Sequence, residues 1–150
     1  MEDADFKAVN NQKELDEFLD LVGGLHGALL REVTLLARGY VSPEGWMHGD
    51  AAPHDARLVF HSQNRDTPWI ELIFEDVEVF QFRPSWDFEA NGTIDQGQIT
   101  IWFAAKTNAE ACVMKARTMR YRIGGVELLG DTVRTVSAIP TQVREPANPR

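Results

Sequence analysis

Cysteine is nearly missing from this chain: Cys112 is the only one in 150 residues. A lone cysteine excludes an internal disulfide framework and any zinc cage built on thiolates, and it fits a reducing compartment. Long apolar runs are missing too. No stretch reaches the roughly 18 residues that a helical membrane span needs. The acidic start MEDADFKAVNNQKELDEF has neither the basic nor the apolar region of a signal peptide. Together these absences predict a cytoplasmic protein with no membrane partner. Basic side chains are scarce through residue 109, where 8 stand against 19 acidic ones for a net of −11; residues 110–150 carry 7 and 4, a net of +3. Nucleic-acid affinity rests on Lys and Arg displacing counterions, so nucleic acid is excluded as the expected partner. The same acidic body attracts a cationic protein and speeds the encounter, besides serving solubility.

What is present is an ordinary globular mixture, 43% hydrophobic and 25% charged. The length suits a single domain able to bury a sizeable core. Residues 1–139 are assigned to it. Residues 140–150 (PTQVREPANPR) hold three prolines and one large apolar side chain, too little to offset the cost of ordering the backbone, and read as a disordered tail.

The pattern begins helical. Leu15, Phe18, Leu19 and Val22 recur at three- and four-residue spacing between an Asn10 or Asn11 cap and a Gly23-Gly24 stop, while residues before Asn10 lack a pattern and read as loosely held. From His26 to Val41 the period becomes two, with Leu29, Val33, Leu35 and Ala37 on one side. Ser42 to Asp55 reads as a long connection. Strands follow at 56–62, 69–74, 77–82 and 98–105, with Leu58, Phe60, Ile70, Leu72 and Phe74 inward and Trp69 and Trp102 assigned to the core. Turn chemistry dominates residues 83–97, where Asn91-Gly92 is the candidate tight turn. Residues 108–123 fit a capped helix or a strand; alternation favours a strand over 113–123. The expected fold is α+β: an N-terminal helix packed on a curved, mainly antiparallel sheet of about six or seven strands.

Chemistry-bearing residues are few. Trp46, Met47, His48, Gly49 and Asp50, followed by His54, place imidazole and carboxylate donors on one loop, so His48, Asp50 and His54 form a candidate divalent-metal set. Their spacing matches no established metal motif. Glu71, Glu75, Asp76 and Glu78, with Asp87 and Glu89, are dense enough to pair as acid and base, yet they read as a solvated sheet face. His61, in the phase opposite to Phe60, reads as structural. Cys112 has no nucleophile signature around it and reads as a small buried apolar group. Trp46 and Trp86 lie in connections, and Trp86 stands beside Asp87 with Glu89 close by. Trp46, Trp86, Asp87 and Glu89 are accordingly the candidate anchors for a protein partner.

Leu25-His26-Gly27-Ala28 opening a strand, then ARLVFHS, then WIELIFEDVEVFQF, resembles small β-rich bacterial proteins of unknown function, some grouped with immunity proteins of polymorphic toxin systems. The resemblance covers residues 25–82. Those chains open with Leu-His-Asp; Gly27 replaces the aspartate here, so the resemblance transfers no site residue. The leading expectation is a non-enzymatic binding protein, immunity-like, with an acidic surface for a basic protein and no cofactor. A metal-dependent hydrolase using residues 46–55 is the alternative, and a homo-oligomer formed through an exposed sheet edge or through the apolar residues Leu30 and Leu36 is compatible with either.

Overall fold

The computed structural model describes residues 5–49, 54–82, 88–105 and 108–125. Residues 126–150, including the tail, lie outside them. The chain forms β1 (Lys7–Val9), α1 (Gln12–Leu21), β2 (Ala28–Ala37), β3 (Tyr40–Val41), β4 (Met47–His48), β5 (His54–Ser62), β6 (Trp69–Val77), β7 (Val79–Gln81), β8 (Phe88–Asp95), β9 (Gln98–Ala105), β10 (Asn108–Ala116) and β11 (Thr118–Gly124). The expected single helix and antiparallel strands are present. The strands divide differently from the expected single sheet: β1-β11-β6-β5-β2 form one sheet, β7-β10-β9-β8 a second, and β3-β4 a separate hairpin.

Helix α1 starts where its cap chemistry places it. The Asn11 side chain accepts from the Glu14 N–H at 2.9 Å, and Glu14 Oε2 accepts from the Asn10 N–H at 2.7 Å, which satisfies two donors at the helix entry. Gly23 and Gly24, both at positive φ, end the helix as expected. Leu15, Phe18 and Val22 are buried, and the Phe18 ring lies 4.6 Å from that of Tyr121 on β11. The residues before the helix are better held than their composition suggests, because Lys7, Ala8 and Val9 pair with Tyr121, Arg120 and Met119.

The core lies between the two sheets. Leu58, Phe60, Ile70, Leu72 and Phe74 face Phe88, Ile99, Ile101, Phe103 and Met114, and Phe60 meets the rings of Phe88 and Phe103 at 5.8 and 6.0 Å. Two strand pairs run from one sheet into the other. β6 pairs with β11 as far as Glu75 and Thr118; past the corner β7 pairs with β10 from Val79 and Lys115. The positive φ of Asp76, +53°, and a bend at Arg117 make that corner. The expected strand over 113–123 is thus two strands in different sheets, since one straight strand cannot serve both. Cys112 is buried, as expected. Trp102 is 37% exposed rather than core, because its neighbours Ile101 and Phe103 take the inward phase of β9.

Two further expectations are corrected. In β2 the register shifts between Leu30 and Glu32, so Leu29 pairs with His61 on the outward face whereas Val33, Leu35 and Ala37 follow the inward phase of Leu58 and Ala56. A bulge changes the phase of every later side chain, which a strict period of two cannot reveal. Asn91-Gly92 is the middle of β8, and the turn into β9 falls instead at Gln96-Gly97, both at positive φ.

Candidate functional site

Tyr40 and Val41, expected to end the first strand, and the first part of the expected connection from Ser42 to Asp55 form a small hairpin beside a carboxylate cluster. Tyr40 and Val41 pair with His48 and Met47. The turn closes through Ser42 N–H to the Trp46 carbonyl at 2.8 Å, Gly45 N–H to the Ser42 carbonyl at 2.9 Å, and Trp46 N–H to Ser42 Oγ at 3.2 Å. Gly45, at φ +87°, supplies the conformation that a side chain would resist. The Tyr40 and His48 rings stack at 4.8 Å. This ordered scaffold presents four large apolar side chains to solvent: Tyr40, Val41, Trp46 and Met47 are 61–73% exposed.

At the base of the hairpin Arg38 gathers three acids. Its Nε and Nη2 donate to the two oxygens of Asp55 at 3.0 and 2.7 Å, its Nη1 donates to Asp76 Oδ1 at 2.8 Å, and Glu75 Oε2 lies 3.5 Å from Nη2. The Asp76 N–H also donates to Asp55 Oδ1 at 3.3 Å. In a straight strand Glu75 and Asp76 would point to opposite faces; the corner at Asp76 turns both toward Arg38 and brings the end of β6 to the start of β5. The hydrogen bonds that Arg38 donates to Asp55 raise its guanidinium above the ordinary value; desolvation opposes this, and the charges of Asp55, Asp76 and Glu75 add to it. Three carboxylates around one guanidinium leave an excess of negative charge beside the apolar hairpin.

A second charged network lies on the outward face of the five-stranded sheet. Glu71, expected to be solvated, is fully buried. Arg57 Nε donates to its Oε1 at 2.5 Å, Arg122 donates to its Oε2 through Nη2 at 2.5 Å and Nε at 3.2 Å, and Arg57 Nη1 reaches Glu32 at 2.7 Å. Burial alone would raise the Glu71 carboxyl, but the hydrogen bonds and charges of Arg57 and Arg122 outweigh it and hold the group below its ordinary value. Both carboxylate oxygens are engaged by the arginines, so Glu71 serves the sheet rather than a ligand. Farther along this face, His61 is held below its ordinary value by burial first and then by the charge of Arg31. Its ring tilts against Trp69 at 5.4 Å.

Of the expected partner anchors, Trp46 is the most exposed tryptophan described and Glu89 is exposed on β8; Trp86 and Asp87 lie outside the described residues. Glu89 pairs with Ala104 in the four-stranded sheet and is not joined to Trp46 by any strand pairing. Of the expected metal set, His48 stacks on Tyr40 and His54 begins β5, while Asp50 lies outside the described residues. Among the described residues no three His, Cys, Asp or Glu side chains come together to hold a metal ion. Sequence reading missed the Arg38 cluster because Arg38, Asp55 and Asp76 are distant in the chain; the interruption at Glu75-Asp76 was the one local sign of the corner that unites them. The chain matches no family model, no curated protein and no solved structure.

Proposed function

We propose that the protein is a non-enzymatic binding module whose β3-β4 hairpin docks a basic protein. The observation that carries this reading is the ordered hairpin with Tyr40, Val41, Trp46 and Met47 in solvent, beside the carboxylates of Asp55, Glu75 and Asp76. Ordering four large apolar side chains at a surface has no folding benefit, whereas aromatic and methionine anchors next to complementary charge are the composition of a recognition patch. The net charge of −8 adds long-range attraction for a cationic partner. Residues 25–82 resemble small β-rich bacterial proteins of unknown function, some of them grouped with immunity proteins, and a toxin domain is one partner of the proposed kind. Hydrolysis by the 46–55 loop lacks a comparable observation.

The test compares the immobilised wild-type chain with a Trp46→Ala, Met47→Ala double variant, using lysate from the cells of origin and then each captured basic protein in purified form. Losing two anchors is expected to weaken binding about 30-fold or more, the effect of roughly 2 kcal/mol at a hot spot. Binding should also fall as salt rises. Equal binding by the variant, or capture that ignores salt, would overturn the reading.

A further inference from the structure

A sheet edge offers unpaired backbone donors and acceptors to any other strand, and folded proteins ordinarily shorten, charge or cover such edges. Among the described residues, three of the four edges of the two larger sheets are managed. β1 and β7 have three residues each. The edge of β8 is bridged by α1: Gln12 Nε2 donates to the Gly92 carbonyl at 3.2 Å, and Gln12 Oε1 accepts from the Ile94 N–H at 2.8 Å, so one side-chain amide occupies the positions a neighbouring strand would use. The fourth edge, β2, is ten residues long and pairs only with β5 among the described residues. It carries Leu29, Val33, Leu35 and Leu36 at 39–63% exposure.

We propose that β2 pairs antiparallel with β2 of a second copy of this chain, about a two-fold axis between Glu32 and Val33. The sequence ALLREVTLLA is self-complementary in that register: Ala28 falls opposite Ala37 of the second copy, Leu29 opposite Leu36, and Leu30 opposite Leu35. These pairs have opposite parity along the chain, which in a regular strand would put them on opposite faces. The bulge between Leu30 and Glu32 removes the conflict. Ala28 and Leu30 share the inward phase with Leu35 and Ala37, while Leu29 shares the outward phase with Leu36. The register also sets Arg31 diagonally from Glu32 of the second copy, twice by symmetry; at the axis itself Glu32 and Val33 fall opposite each other on different faces, so the three outer pairs on each side carry the match. This goes beyond the hairpin reading and uses a different surface. Pairing over ten residues would leave the two hairpins at opposite ends of a ribbon about 33 Å long.

The full chain is expected to sediment with twice the chain mass at micromolar concentration. A Leu29→Lys, Leu36→Lys variant should raise the dissociation constant about 100-fold while keeping the wild-type circular dichroism, since both side chains are exposed in the single chain. Cysteine cross-linking tests the register. Directly opposed residues lie within disulfide reach, whereas residues 29 and 36 of one strand are about 23 Å apart. A Leu29→Cys, Leu36→Cys variant should therefore form a covalent dimer under mild oxidation, and neither single variant should. A monomer at all concentrations, a dimer indifferent to the lysines, or cross-linking by a single cysteine would overturn the proposal. None of these outcomes bears on the hairpin, whose capture test responds to Trp46 and Met47.

Discussion

Replacing Glu71 with alanine is expected to destabilise the fold by about 3 kcal/mol, the low end of the range for breaking a buried ion pair, because Arg57 and Arg122 retain some contact with water. The carboxylate is fully buried and accepts from both guanidinium groups, so its removal leaves two cations facing each other across β6 with nothing between them. For a chain of this size that corresponds to a fall in Tm of about 6–12 °C. The pH dependence follows from the direction of the shift. The folded-state value of Glu71 lies below its unfolded value, so the folded state binds its proton less readily and the network's contribution is complete above about pH 4.3. It is lost as pH falls through the folded-state value. Urea titrations from pH 7 down to pH 3 should show the wild type losing stability more steeply than Glu71→Gln. Parallel curves would show that the carboxylate is not held by its arginines.

Gly92→Val is the second substitution with a large expected effect. A Cβ at Gly92 would lie 2.9 Å from Leu15 Cδ2 and 3.2 Å from the Thr100 carbonyl oxygen. Leu15 is itself fully buried, and the carbonyl belongs to the neighbouring strand, so neither contact can be relieved by turning a surface side chain. The glycine lets α1 approach β8 closely enough for Gln12 to bridge the strand edge. Valine should cost about 2–3 kcal/mol through overpacking. Glu89→Ala, an exposed position on the same strand, should stay within about 0.5 kcal/mol of wild type. Thermal melts of the two variants check this, and equal melting points would contradict the packing account.

Gly92 also shows where sequence reading stops. Asn-Gly is a strong local turn signal, yet here glycine answers a helix that is near in space and about eighty residues away in sequence. The same division runs through the rest of the molecule. Helix α1 was legible because its cap, stripe and stop are all local, and β5, β6 and β9 were legible because large apolar residues such as Leu58 and Phe60, Ile70, Leu72 and Phe74, and Ile99, Ile101 and Phe103 recur along them at every second position. The phase change in β2 and the corner at Asp76 and Arg117 were not, since each depends on a register set by a neighbouring strand. The site shared this fate. Trp46 was visible as an unplaced tryptophan in a polar segment, whereas the acids beside it assemble only when the corner carries Asp76 to Asp55. Glu71 carried no local sign of burial, because its partners come from two other strands.

Hydrogen exchange on the full chain, alone and bound to the basic protein that the capture experiment yields, tests the docking claim most directly. The hairpin is held by few backbone bonds and its apolar side chains face water, so peptides covering residues 38–48 should exchange rapidly in the free chain. On binding, those peptides and the one around Glu75 and Asp76 should become protected, with β8 and β9 unchanged. Protection confined to α1 or the four-stranded sheet, with residues 38–48 still exchanging freely, would contradict the account.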